Sequence, residues 1–284
     1  MAMHIFRTVD GYQDEWRRLR AQEKSIAFVP TLGALHAGHA SLMALARTKA
    51  DVVVASVFVN PTQFNESSDL EKYPRTLAAD IEVLLAEEVD ILFYPHDHEV
   101  YPEGLDTRVD IALGPVAEVM EGAERPGHFE GVMQVVNRLL DIVQPDIIVM
   151  GQKDLQQHTI IAHMLRALEK PTQLVVGPTM REASGLAMSS RNARLSPEGR
   201  VKAAEIYAHL ETIKADFTGD NALALEERAM HVLTQDPFKA EYVQIVDAID
   251  LQPWHNHKNP SPHAVVCCAV WLEGVRLIDN IPLD

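Results

Sequence analysis

Five short, nearly continuous runs of β-branched and other apolar residues recur in the first 180 positions, at 26–29, 52–59, 91–94, 147–150 and 174–176. Runs without polar alternation belong to strands covered on both faces, the condition of a parallel sheet inside an α/β layer structure. Segments of helical period lie between them, at 40–50, 76–88, 129–143 and 155–169, and Pro74 marks the start of the second. Right-handed crossovers then predict an α/β fold built on a doubly wound parallel sheet. After about Met180 the order changes. Two helical segments, 197–214 and 222–234, precede three strand-like runs, 242–246, 264–272 and 276–278. That order predicts a smaller α+β unit, so the expected domains are 1–180 and 181–284. The Pro-, His- and Asn-rich stretch 254–263 reads as a surface connection.

Charge narrows the function. The net charge of −16 over 284 residues argues against a broad nucleic-acid or anionic-membrane surface, because such surfaces need clustered Lys and Arg. A small basic pocket for a nucleotide remains compatible with it. The longest uncharged apolar run, 264–272, is about half a membrane span. The opening MAMHIFRTVDGYQDEWRRLR carries charge throughout and no apolar core of a secretory signal. The only cysteines, Cys267 and Cys268, are adjacent in a strand-like run and so face opposite sides. They are expected to be packing residues in a reducing cytoplasm.

The segment PTLGALHAGH, residues 30–39, follows the first run. Pro30 is expected to stop the strand, Gly33 to permit a tight turn, and Gly38 to allow close approach at the start of a helix near His39. Ligands of open α/β sheets bind at this carboxyl edge, where helix N–H groups favour anions. His36 and His39 could hold a metal, cap the helix or grip a phosphate. Zincins use a spacing of four with a Glu between, whereas Ala37 and Gly38 separate these two, so phosphate is favoured over metal. Neither G-x-x-x-x-G-K-[ST] nor G-x-G-x-x-G occurs, so a P-loop ATPase or a dinucleotide dehydrogenase has no support.

Other polar stretches sit at expected strand or helix ends. In VNPTQF, Asn60 and Gln63 offer uncharged donors and acceptors for a small substrate, and Phe64 an apolar wall; an Asx-Pro turn is the alternative. In GQKD, Asp154 suits an N-cap, while Lys153 at a helix N-terminus opposes the dipole unless an anion is bound. Gln156 and Gln157 follow in the first turn. MSSRN, at the join of the two units, offers two hydroxyls and a guanidinium for pyrophosphate, or is an ordinary linker. RPGHF, residues 125–129, fits a cap or a site equally well.

Taken in order, PTLGALHAGH, FVNPTQF, YPRTLAAD, RPGHFEGV, QPDIIVMGQKDLQQ, GLAMSSRN and RLIDN span nearly the whole chain. Together they resemble pantothenate synthetase (pantoate–β-alanine ligase), of the HIGH-type nucleotidyltransferase superfamily. The resemblance implies a Rossmann-like N-terminal domain binding nucleotide and pantoate, a small C-terminal lid and a homodimer. It implies ATP as substrate with Mg2+, a pantoyl adenylate formed with release of pyrophosphate, and attack by β-alanine to give pantothenate and AMP. By the same resemblance Leu32, Gly33, Ala34, Leu35, His36, Ala37, Gly38 and His39 line the ATP site. Gly151, Gln152, Lys153, Asp154, Met180, Met188, Ser189, Ser190 and Arg191 do so too. His39, His36, Lys153 and Arg191 take the catalytic roles, and Gln63 and Gln157 bind pantoate, Gln63 also lying near β-alanine. Leu32 stands where the family usually has Met, Gln152 where Glu is common, and Ser184 where Asp is common. Another adenylyltransferase, a tRNA synthetase fragment and a nucleotide sensor are the competing readings; no nucleic-acid or membrane partner is expected.

Overall fold

The computed structural model describes residues 3–63, 70–71, 73–105, 108–257 and 262–283. Phe64 lies outside them. The chain forms two compact units. The first comprises Met1–Leu113, Arg125–Gly151 and Ile160–Gly177, and the second Gly114–Glu124, Gln152–Thr159 and Pro178–Asp284. Two pieces from before residue 160, 114–124 and 152–159, thus belong to the second unit.

The first unit is built on a six-stranded parallel sheet of β1 (His4–Phe6), β2 (Ile26–Thr31), β3 (Val52–Val57), β4 (Ile91–Phe93), β5 (Ile147–Gly151) and β6 (Gln173–Gly177). The spatial order is β1-β4-β3-β2-β5-β6. Every residue of β3 and β4 is buried, as their nearly continuous apolar runs require. One face packs Met43 and Ala46 of α2 (Ala37–Arg47) and Leu84 of α3 (Leu77–Ala86) against Val29, Val53, Ala55 and Leu92. Helix α4 (His128–Val143) has twelve of its sixteen residues buried, and Tyr12 of α1 (Val9–Ala21) donates to its Val143 carbonyl at 2.9 Å. The chain leaves β2 toward β3 and β4 and later returns to β5 on the other side. The sheet therefore has its topological switch between β2 and β5.

Pro30 does not end β2. The strand continues to Thr31, whose carbonyl accepts from the Phe58 amide at 3.0 Å. Alternate residues of a parallel strand bond to opposite neighbours, so the N–H that Pro30 lacks falls on the β5 side. Pairing with β5 stops at Phe28, while pairing with β3 runs on to Thr31.

The second unit contains a three-stranded antiparallel sheet, β7 (Lys239–Asp247), β8 (Ala264–Leu272) and β9 (Val275–Pro282), in that order. Helices α6 (Pro197–Asp216) and α7 (Ala222–Leu233) pack on one face, around Ile206, Leu210, Leu225, Val266, Cys268 and Val270. The other face buries Cys267, Val265 and Ala269 with Tyr242, Met120 and Leu155, the last from the start of α5 (Leu155–Ala167). Cys267 and Cys268 are both free thiols, as the period of two requires of neighbours pointing into separate cores. Among the described residues no helix is long and apolar enough to cross a membrane.

Candidate active site

In the first unit, residues 32–36 join the end of β2 to α2. Gly33 and Ala34 are both left-handed, with φ of +86° and +51°. A side chain at Gly33 would also place its Cβ 3.0 Å from Asp80 Oδ2 and 3.1 Å from Val57 Cγ1. Ala34 in that region costs roughly 1–2 kcal/mol. Asp80, only 2% exposed, offsets the cost by accepting from the amides of Ala34 (3.2 Å) and Leu35 (2.8 Å). Thr76 Oγ1 donates to the same carboxylate at 3.2 Å, and the Gly33 amide donates to Thr31 Oγ1 at 3.2 Å. The amides of residues 33 to 35 are therefore satisfied by the protein itself. Any backbone donor this segment offers a ligand comes from further along.

His36 caps α2, its Nδ1 accepting from the Gly38 amide at 3.1 Å. His39 Nδ1 accepts from the His36 amide at 3.3 Å, closing a reciprocal capping box. The ring centroids are 4.2 Å apart and tilted by 43°. A neutral imidazole has one donor and one acceptor nitrogen, so both caps place the ring proton on Nε2. The cap and phosphate readings are thus compatible: capping with Nδ1 orients an Nε2–H donor on each ring.

Gln63 ends a 3-10 turn, Pro61–Gln63, that is held from several directions. Asn60 is fully buried and accepts from the Tyr101 hydroxyl at 2.8 Å. Its Nδ2 donates to the Gly131 carbonyl (3.2 Å), Thr62 Oγ1 (3.0 Å) and Gln63 Oε1 (3.3 Å). Burial pushes the Tyr101 phenol up to about 12, which keeps it a neutral donor. Asn60 is therefore the internal anchor of the turn, while Gln63 is the partly exposed amide. Gly127 occupies the cap position of α4 with φ +82° and no side-chain cap bond. His128 instead sets Nδ1 2.9 Å from the Gln63 carbonyl and Nε2 3.1 Å from an Arg125 guanidinium nitrogen.

The second unit gathers Lys153, Ser189 and Arg191 around one small cleft. Leu186, Ala187, Asn192, Ile206 and residues 276–279 of β9 complete its wall. Lys153 sits in the 3-10 turn Gln152–Asp154 that leads into α5, with Nζ 3.7 Å from Asp154 Oδ1. Ser189 caps the 3-10 turn Ser190–Arg194 by accepting from the Arg191 amide at 3.3 Å. Met180 and Met188 are paired, the Met188 amide donating to the Met180 carbonyl at 2.9 Å across a hairpin turned at Gly185. Asp279 faces the cleft but is held by the Arg181 fork at 2.6 and 2.9 Å, and Arg181 lies 3.9 Å over the Tyr207 ring. Arg276 is held by Glu121 (2.7 and 2.8 Å) and Glu241 (2.7 Å). Gln156 is consumed by the backbone of 116–121, whereas Gln157 makes no side-chain hydrogen bond among the described residues.

The structure thus brings Lys153, Ser189 and Arg191 together in one unit and His36 and His39 together in the other. Asp80, Asn280 and the Arg181–Asp279 pair are the supporting residues that spacing did not reveal. YPRTLAAD and RLIDN contain three of them, but no periodicity distinguishes a carboxylate that turns inward onto backbone amides.

Comparison with known proteins gives the same frame a family. The family model described as pantoate-beta-alanine ligase matches residues 4–282. A pantothenate synthetase of Porphyromonas gingivalis is 46% identical over 285 residues, 99% of this chain and 100% of that protein. One from Pseudomonas putida is 43% identical over 288 residues, covering 99% and 98%. The crystal structure of pantothenate synthetase from Thermus thermophilus superposes with a TM-score of 0.87 at 40% identity, over 99% of both chains. That of pantoate-beta-alanine ligase from Francisella tularensis, complexed with beta-gamma ATP and beta-alanine, gives 0.82 at 34% identity over 99% and 98%. With the match running through both units and through every segment described above, the chain belongs to the pantoate-beta-alanine ligase family.

Proposed function

We propose that this protein condenses pantoate with β-alanine to give pantothenate, using ATP and passing through pantoyl adenylate. The observation that carries the reading is the cleft where a lysine, a serine hydroxyl and an arginine converge in a chain of net charge −16. Concentrating cations there suits a polyphosphate. The Francisella relative, complexed with beta-gamma ATP and beta-alanine, supports both ligands.

In the first step a pantoate carboxylate oxygen attacks the α-phosphorus of ATP. The new O–P bond forms as the bond to the β-phosphate oxygen breaks, and pyrophosphate leaves. Two anions must approach each other, so the site has to neutralise charge on the phosphate oxygens and the leaving group. Lys153 and Arg191, with Ser189 and Ser190, are assigned to that charge. His36 and His39 donate from Nε2, and His39 acts as a transition-state donor more than as a proton shuttle. Leu32 through Leu35 shape the nucleotide pocket; Gly151, Gln152, Asp154, Met180 and Met188 complete the ATP contacts. Gln63 and Gln157 bind pantoate. In the second step the β-alanine amine attacks the acyl carbon, loses a proton, and expels AMP.

Among the described residues one trio of carboxylate and imidazole ligands is close enough to share an ion, Asp247, Asp250 and His257, none of them assigned to ATP. In the assigned set Asp154 is the carboxylate that would hold Mg2+, and the ion would supply further neutralisation of the triphosphate. Residues 1–180 are assigned to nucleotide and pantoate binding and 181–284 to a lid, because an acyl adenylate hydrolyses unless water is excluded. A cytoplasmic homodimer completes the reading, and the two buried free thiols favour a reducing compartment.

The test is an omission assay with ATP, Mg2+, pantoate and β-alanine, following pyrophosphate and AMP. Pyrophosphate should require pantoate, and pantothenate should require all four. His39→Ala and Lys153→Ala should each lower pyrophosphate release by about 10²-fold or more. Near-normal release in both variants overturns the assignment.

A further inference from the structure

We propose that Asn280 is a positioning residue for Lys153. The proposal rests on the assignment of Lys153 to the triphosphate. Lys153 lies in a single 3-10 turn, a short element whose backbone direction is weakly fixed by its own hydrogen bonds. The carbonyls of Gln152 and Lys153 are bonded instead to one side chain. Asn280 Nδ2 donates to the Gln152 oxygen at 3.0 Å and to the Lys153 oxygen at 2.8 Å. Its Oδ1 accepts from Gln152 Nε2 at 3.1 Å. Both amide protons and the amide oxygen are therefore spent on two consecutive residues. Two consecutive carbonyl directions define the peptide planes on either side of the Lys153 Cα, and so the direction of its Cα–Cβ bond.

Asn280 can act this way because it is itself held. It is 4% exposed on β9, and its own amide donates to Asp279 Oδ1 at 2.8 Å. Asp279 is gripped by Arg181, which also donates to the Gly185 carbonyl at 3.1 Å and to the Asn280 carbonyl at 3.3 Å. The hairpin carrying Met180 and Met188, the lysine turn and the end of β9 are thus tied into one polar frame. Asn280 is not in the wall of the cleft, so its influence runs through the backbone of residues 152 and 153.

Asn280→Asp keeps the shape and removes both donated bonds, turning a carboxylate oxygen toward two carbonyl oxygens. The test is a double-mutant cycle on the full-length protein, reading pyrophosphate release with saturating pantoate. Asn280→Asp alone should lower the rate roughly 10- to 100-fold, the scale of a misplacement of about 1 Å. In a Lys153→Ala background it should cost less than about twofold, since there is no lysine left to misplace. Asn280→Ser, which keeps one donor, should fall between, and it serves as the probe if the aspartate variant does not fold by circular dichroism. An equal loss in both backgrounds overturns the proposal and marks a general structural role. A harmless Lys153→Ala overturns the assignment of Lys153 itself, a result distinguishable from the first.

Discussion

At the scale of single residues, Asp80 shows how a buried carboxylate can shape the loop between a strand and a helix by taking up its backbone amides. It fills the amides of residues 34 and 35, so the loop turns its remaining polar groups elsewhere. Asp80→Asn keeps the volume but can accept with only one atom, leaving a buried N–H unpaired at a cost of about 1–3 kcal/mol. The expected outcome is a lower melting temperature and a roughly tenfold lower kcat/KM for ATP; unchanged ATP kinetics in a destabilised variant would limit Asp80 to architecture. His158 is 8% exposed, and its Nε2 is buried with no partner. Burial lowers its pKa to about 4 from 6.5. The unfolded chain therefore binds the proton first as pH falls. The stability linked to this group is complete above about pH 6.5 and is lost between there and pH 4, roughly 3 kcal/mol in all. His158→Leu should flatten the stability profile over that window relative to wild type in chemical denaturation. Parallel profiles would show that the ring is solvated on acidification. Neither residue was legible beforehand, because a burial partner is a property of the fold, whereas His36 and His39 announced themselves by lying between a strand and a helix.

At the scale of elements, strands within nearly continuous apolar runs were readable, even the three-residue β4, whereas β1 and α1 were not. Runs at 26–29, 52–59, 91–94 and 147–150 became β2 to β5, with shifts of a residue or two at most ends. β1 has three residues, too few to show a period, and α1 hides its helix behind charge, burying only Tyr12 and Leu19. Helix α2 begins three residues before its apolar period does, since the capping box starts it. The RPGHF segment was ambiguous because the use of His128 depends on a partner 65 positions away. Helix α4 meets the 60–63 turn through a glycine. A Cβ at Gly131 would lie 2.3 Å from the Thr62 carbonyl oxygen and 2.7 Å from its carbon, so backbone must shift. Gly131→Ala should cost about 1–3 kcal/mol of stability and raise the KM for pantoate more than that for ATP. Equal changes in both constants would remove the link between this contact and Gln63.

At the scale of the whole molecule, alternation of strand and helix predicted the parallel sheet, with five of its six strands read and β1 missed, and the change of order after Met180 predicted the smaller α+β unit, whose sheet is antiparallel. Spacing could not show that 114–124 and 152–159 belong with the C-terminal residues, because their attachment is made by side chains such as Gln156 and Asn280. Strand β8 has a consequence for handling the protein. Its adjacent thiols point into two different cores, 5% and 0% exposed, and burial raises the pKa of both far above that of a free cysteine. Alkylation needs an accessible thiolate, so iodoacetamide should label neither sulfur until the sheet comes apart, with native labelling slowed by at least about 10³-fold. Rapid stoichiometric labelling of fully active enzyme would contradict this. If it holds, the pair is a natural stopwatch: the rate of carbamidomethylation at each sulfur times the opening of the layer that covers it, one clock for each side of the strand.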